Sequence, residues 1–264
     1  HTIRHVDGPL TFATAEETVA FLEQNQHLFP QLPYIAELSA LELAIHQLEG
    51  KEWPLCQDVD QIVLNPTLQV LASDWQGWPE FLRDQRHQPT PGSSHLLLFR
   101  QHPDGPAVIR TASSSDLLAL KIVAENRSSS DVAAAAGKNI GEIDAVLHAA
   151  LQSGILLAPP SRIVRDASFF SAPFTTSEFF RADVFTLQWH LTQACDLHCR
   201  HCYDRSSRET MSFKQAIAVL DNLYQFAHIH HVQPQISFSG GNPLLYPHFF
   251  QLYQEAADRG ILLA

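Results

Sequence analysis

The segment Ala194–Tyr203, ACDLHCRHCY, carries Cys195, Cys199 and Cys202 in a C-x3-C-x2-C spacing, and these are three of the chain's 4 cysteines. It follows VFTLQWHL (184–191), whose alternation predicts a strand, so the cysteines fall on a loop at a strand's C-terminal end. Thiolates are soft ligands that suit zinc or iron–sulfur clusters. A structural zinc site takes four protein ligands, commonly as two separated pairs. Here the fourth ligand would be His190, His198, His201 or the distant Cys56, so a zinc knuckle is a real competitor. A thioredoxin-type redox pair fits less well, because it needs one C-x-x-C at a helix start and no third partner. Three thiolates on one loop hold three irons of a [4Fe–4S] cluster and leave the fourth open to a ligand. Spacing alone leaves zinc and the cluster both standing.

Working outward, the pattern around the loop is alternating strand and helix. Ser212–His231 reads as an amphipathic helix, QISFS (235–239) as a second strand ending in GGNPLL (240–245), and Tyr246–Arg259 as a helix closed by Gly260. ILLA (261–264) begins a third strand. A βαβαβ series implies a parallel sheet with ligands at the strands' C-terminal ends.

The upstream chain is of another kind. ATAEETVAFLEQNQHLF (13–29), with Thr14 as cap, and PYIAELSALELAIHQLEG (33–50) predict helices. A short strand is expected at Gln61–Leu64, a helix near Pro66–Trp75 and a linker at Gln85–Ser94. HLLLFRQHPDGPAVIRT (95–111) reads as a β-hairpin turning at His102–Gly105, because proline presets one dihedral and glycine tolerates positive φ. Helices follow at Asp116–Asn126, Asp131–Lys138 and Ile140–Ser153, with serines 113–115 and 128–130 as caps for the first two, then a short strand at 155–158. A hairpin, three helices and a strand make a winged-helix-like module. Simple packing is its bland reading. DNA binding needs a positive recognition helix, yet Ile140–Ser153 carries Glu142 and Asp144 and no Lys or Arg.

The 264 residues suggest about two domains. Hydrophobic residues make up 45% and charged residues 17%, an ordinary globular composition. A net charge of -11 repels phosphate backbones and argues against a general nucleic-acid binder. No apolar run is long enough for a bilayer, nothing resembles a signal peptide, and the crowded cysteines point to a reducing compartment, so a cytoplasmic location is expected.

CDLHCRHCY after one strand and FSGGNPL at the end of the next resemble the radical S-adenosylmethionine (SAM) superfamily. Over about the last eighty residues the chain looks like its peptide-maturase branch, the maturases of thio- or selenooxazole and selenobiotic-type peptides. The resemblance implies that Cys195, Cys199 and Cys202 ligate a [4Fe–4S] cluster. It also implies that Gly240, Gly241, Asn242 and Pro243 bind SAM, the glycines letting carbonyls reach the ammonium of its methionine part. Tyr203 would pack beside the cofactor, or simply pack. Two positions depart from the family: Asn242 stands where a glutamate is usual, replacing a carboxylate–ammonium contact with a neutral acceptor, and His201 stands where an aromatic often sits.

Such enzymes often carry a winged-helix element, similar to the D protein of the pyrroloquinoline-quinone pathway, that grips a precursor's leader. Residues 95–158 resemble it, and the leader would add a strand near Ala107–Arg110 and pack on Ile140–Ser153. The expected domains are a helical region (1–90), the winged-helix-like module (95–160), a linker (161–183) and the N-terminal part of a partial (β/α)6 core (184–264), in all an α/β protein. The expected partners are a ribosomally made precursor peptide and an electron donor such as flavodoxin or ferredoxin. The sequence ends as the third βα unit begins, so the resemblance implies a piece of a longer enzyme, catalytically incomplete, with no catalytic residue assigned. The alternatives are a peptide-binding module with a structural zinc knuckle and a cluster-sensing DNA-binding regulator. His190 reads as an inward-facing histidine, His198 and His201 as loop residues near the cluster, and His228, His230 and His231 as surface residues at a helix end. Cys56 reads as a small buried hydrophobe, and Arg205 and Arg208 as loop arginines able to meet the cofactor's carboxylate.

Overall fold

The computed structural model describes residues 12–52, 59–166, 168, 180–197, 199–202 and 209–264. Over these residues the chain is a mixed α/β protein with three small sheets. It divides into two units, one of His1–Cys56, Leu64–Leu117 and Ser153–Ile155, the other of Gln57–Val63, Leu118–Gln152 and Leu156–Ala264.

In the first unit α1 (Ala15–Gln24) begins as expected: Thr14 is extended and its hydroxyl accepts from the Glu17 N–H at 3.2 Å. A 3-10 turn follows at Gln26–Leu28, and α2 (Ile35–Glu49) ends at Gly50. The strand expected at 61–64 is reduced to β1 (Val63–Leu64). The helix expected near 66–75 is instead a strand, β2 (Gln69–Gln76). Asn65 explains the difference. Its carboxamide oxygen accepts from the Thr67 N–H at 2.9 Å and its Nδ2 donates to the Arg100 and Gly154 carbonyls, both at 2.7 Å. The chain thus leaves a buried, fully bonded turn in extended form, with a strand waiting beside it. The helix comes later, as α3 (Trp78–Arg83), after Gly77 at φ 88.

The partner of β2 is β3 (Thr90–Arg100), which absorbs half of the expected linker at 85–94. Gly, Pro and Ser gave that stretch a linker's composition, but antiparallel pairing to β2 supplies a ladder that composition does not reveal. Pro91, lacking an N–H, lies opposite Trp75 at an irregularity in the register. β4 (Ala107–Thr111) closes the expected hairpin, so the sheet order is β2-β3-β4 with β4 at an edge. Leu96, Leu97, Leu98 and Phe99 are at most 2% exposed, which means both faces of β3 are covered. Tyr34, Trp75, Trp78 and Phe81 pack edge to face at 5.5–6.0 Å over this sheet. The Trp78 indole N–H donates to Glu37 at 2.9 Å and to Ser73 at 2.8 Å.

Helices α4 (Ser114–Ala124), α5 (Ser129–Ala136) and α6 (Ile140–Ser153) lie where the sequence puts them, with Ser113 and Ser128 hydroxyls accepting the N–H groups of Asp116 and Asp131. The unit boundary crosses α4 at Leu117 and Leu118, so the β3–β4 hairpin belongs to the first unit and α5 and most of α6 to the second. β5 (Leu156–Leu157) pairs with β1 rather than with the hairpin.

Within the second unit β6 (Val184–Thr192), α7 (Phe213–His230), β7 (Gln233–Gly240), α8 (Phe249–Asp258) and β8 (Leu262–Leu263) form a parallel β6-β7-β8 sheet with its crossover helices. α7 opens with a full capping box, Ser212 and Gln215 bonding each other's backbone N–H. Trp189, Leu191, Ile236, Leu220, Leu223, Leu252 and Ala256 make one buried core between sheet and helices. Helix α6 packs on this assembly through its polar side. A β-carbon on Gly141 would lie 2.5 Å from the Gly260 nitrogen, Asn139 donates to Asp258 at 2.8 Å, and the Tyr224 hydroxyl donates to Asp144 at 2.8 Å. The described ends of the expected linker pair with each other: Val164 bridges Arg181, the Arg165 N–H donates to the Phe180 carbonyl at 2.7 Å, and the Ala182 N–H donates to the Ile163 carbonyl at 3.0 Å. Among the described residues no helix is long and apolar enough to cross a membrane.

Candidate functional site

β6 and β7 run parallel and in register from Val184↔Gln233 to His190↔Ser239, and after a one-residue irregularity Thr192 pairs with Gly240, so the cysteine loop and GGNP leave neighbouring strands at the same end. The two segments then touch backbone to backbone. The Gly241 N–H donates to the Thr192 carbonyl at 2.7 Å and the Asn242 N–H to the Ala194 carbonyl at 2.8 Å. Only glycine allows this approach. A β-carbon on Gly240, which is at φ 108, would sit 2.6 Å from the Thr192 oxygen, and one on Gly241 would sit 2.2 Å from the Ala194 oxygen. The buried Thr192 hydroxyl accepts from the Ala194 N–H at 3.1 Å, which turns the chain off the strand and into the loop.

Asn242 belongs to this junction through its side chain as well. Its Oδ1 accepts from the Leu244 N–H at 3.1 Å and its Nδ2 donates to Asp196 Oδ1 at 3.0 Å. Pro243 then starts a 3-10 turn through Leu245, where its missing N–H is harmless.

Cys195, Cys199 and Cys202 are exposed thiols on the loop. The Cys195 sulfur accepts from the Leu197 N–H at 3.4 Å, and the Cys202 N–H donates to the Cys199 carbonyl at 3.1 Å in a tight turn. Among the described residues no group of three or more His, Cys, Asp or Glu side chains is drawn together as a metal site. The structure thus brings the glycine motif onto the root of the loop but does not gather the three sulfurs. The donor set still suits a soft metal cluster, being three solvent-facing thiols on one loop. Tyr203, His198, Arg205, Arg208 and Cys56 lie outside the described residues.

The strands leading to this end have two unlike faces. Phe185, Leu187, Trp189 and Leu191 of β6, with Ile236 and Phe238 of β7, face the helices. Thr186, Gln188 and His190 of β6, paired with Gln235, Ser237 and Ser239 of β7, make the opposite face polar. Thr186 donates to Gln235 at 2.6 Å, and the Ser239 hydroxyl is buried with no hydrogen-bond partner among the described residues. His190 is therefore half-buried on the polar face, away from Trp189, rather than turned into the apolar side. Sequence reasoning missed this polar row, although the alternation in VFTLQWHLT and QISFS carried it.

At the far end of α7 the three histidines differ. His228 is exposed, His230 packs on the Phe226 ring at 4.2 Å, and His231 caps the helix at φ 54. The buried His231 Nε2 has no hydrogen-bond partner among the described residues, and burial pushes this histidine's pKa down. The expectation of three surface histidines holds for His228 alone.

No family model matches the chain, and no curated protein matches it.

Proposed function

We propose that the second unit is a radical SAM site in which Cys195, Cys199 and Cys202 ligate a [4Fe–4S] cluster and Gly240–Pro243 bind SAM. The observation that carries the reading is the pair of backbone hydrogen bonds from Gly241 and Asn242 to Thr192 and Ala194, because it ties the glycine motif to the root of the cysteine loop. Cluster and cofactor would supply one-electron cleavage of SAM to methionine and a 5′-deoxyadenosyl radical. The chain's own share is positional. Thr192 and the two glycines hold the loop and the motif at one end of the sheet. Gly240 and Gly241 would turn carbonyl oxygens to an ammonium group, and the polar face through Gln188 and Ser237 would offer hydrogen bonds to a substrate.

The substrate we propose is a ribosomally made peptide, held by its leader on a winged-helix-like element, with electrons supplied by a flavodoxin or ferredoxin. Support comes from β4. The Ala112 N–H donates to the His95 carbonyl at 2.8 Å, so antiparallel alternation turns the N–H and C=O groups of Thr111, Ile109 and Ala107 away from β3. That edge offers the ladder an added strand requires. A DNA-reading role for α6 is disfavoured, since Gly141 and Asp144 are packed on Gly260 and Tyr224.

The test is anaerobic reconstitution with iron and sulfide. About four irons per chain with a thiolate-to-iron absorbance band, lost in Cys199→Ala, is the expected result. One zinc per chain and no colour would overturn the reading.

A further inference from the structure

The glycine motif of this chain carries asparagine, a neutral residue, at 242, yet a carboxylate stands beside it. Asp196 follows the first cysteine directly, and its Oδ1 accepts the Asn242 amide at 3.0 Å. Asn242 is itself fixed, because its Oδ1 accepts the Leu244 N–H at 3.1 Å and its backbone N–H donates to Ala194 at 2.8 Å. Asp196 is exposed and Asn242 half-buried, at the end of the sheet where both motifs emerge. An acidic residue at 242 would set a second carboxylate against Asp196 at hydrogen-bond distance, which like-charge repulsion disfavours. Asparagine resolves that conflict by donating.

We infer that the carboxylate facing the cofactor's ammonium group has moved from the glycine motif to the cysteine loop, where Asp196 supplies it and Asn242 aims it. The inference rests on the proposed SAM site. Chemically, Asp196 Oδ1 is occupied by the amide, and Oδ2 remains for a charge-assisted bond to an ammonium. Asn242 is then a positioning residue, and Asp196 the residue that touches the ligand.

The experiment uses the full chain loaded with iron and sulfide, with iron content and SAM affinity measured separately by metal analysis and equilibrium dialysis. In D196N the pairing survives, because the carboxamide oxygen introduced at that position still accepts from Asn242. Iron content should stay at the wild-type level while SAM affinity falls roughly 10- to 100-fold, the range of one charged hydrogen bond. N242D places two carboxylates in contact, and protein without iron should melt roughly 2–4 °C lower. The double variant N242D/D196N puts a donor at 196 and a carboxylate at 242, and should restore both the melting temperature and most of the affinity.

D196N binding SAM as tightly as wild type would overturn the inference while leaving the site intact. Failure of the double variant to recover affinity would also overturn it. A wild-type chain that takes up no iron, or takes up iron and binds no SAM, would overturn the proposed site and this inference with it.

Discussion

Replacing Gly241 with alanine tests whether the glycine motif and the cysteine loop are one structural piece. The new β-carbon would meet three backbone atoms, the Ala194 oxygen at 2.2 Å, the Ala194 carbon at 2.8 Å and the Gln193 carbon at 2.9 Å. Ordinary contact begins near 3.4 Å, so the segments must part by about 1 Å, and no side chain can rotate to absorb it. Parting breaks the bonds from Gly241 to Thr192 and from Asn242 to Ala194, each worth about 1 kcal/mol net. With residual strain the variant should lose about 2–3 kcal/mol, a fall of roughly 5–10 °C in the calorimetric transition of the second unit. Displacement of about 1 Å also exceeds the tolerance of a preorganised site, so iron loading should drop by more than about half. Gly137→Ala is the control. Its backbone is at φ 62 with open space around the added carbon, so it should cost about 1 kcal/mol and leave iron loading unchanged. A Gly241→Ala protein that melts and loads like wild type would refute the direct backbone contact.

The Arg110 guanidinium grips both oxygens of Asp116, at 2.6 and 2.7 Å, and holds that carboxyl down to about 2 from its usual 3.8. A depressed carboxylate stabilises the fold above its unfolded pKa and loses that contribution as pH falls from about 4 toward 2. Asp116→Asn should therefore cost about 2 kcal/mol in urea unfolding near neutrality, a difference that narrows between those pH values to well under about 1 kcal/mol by about pH 2. Gly141→Ala would drive a carbon to 2.5 Å from the Gly260 nitrogen, and its melting temperature should fall by several degrees, whereas Ala145→Gly, at an exposed site on α6, should cost only about 1 kcal/mol. Thr111→Pro removes an outward N–H of the β4 edge without touching the hairpin ladder, so it should abolish strand addition by a leader peptide in a titration while leaving the circular dichroism spectrum unchanged. Equal peptide affinity in that variant would mean that the leader binds elsewhere.

What the sequence disclosed about the fold follows from which signals are local. Caps and periodicity placed α1, α2, α7 and the three helices from α4 to α6, because Thr14, Ser128 and Ser212 announce themselves within three residues of what they cap. β6 and β7 were equally plain from alternation. β2 was lost because QVLASDWQ is polar at its centre, and its strand character is conferred by pairing to a segment about twenty residues on that itself looked like a linker. At the site, the cysteines and the glycine motif were legible as spacing. The bond between Asn242 and Asp196 was not, since nothing in either motif says which residue of the other lies opposite. The polar face of β6 and β7 was legible in principle but needs register, which only parallel pairing fixes.

At Thr192 and Ala194 the contact between the glycine motif and the loop is made by main-chain atoms on both sides, which has a bearing on how this chain can vary. Nothing in it reads the side chain of Ala194, which is exposed, so that position is open to substitution. The count of residues is not open in the same way. Inserting or deleting one residue between Thr192 and Cys195 would slide the carbonyls that receive Gly241 and Asn242 out of phase with their donors. In related sequences that keep this junction, the identity at 194 should drift while the number of residues between Thr192 and Cys195 stays constant.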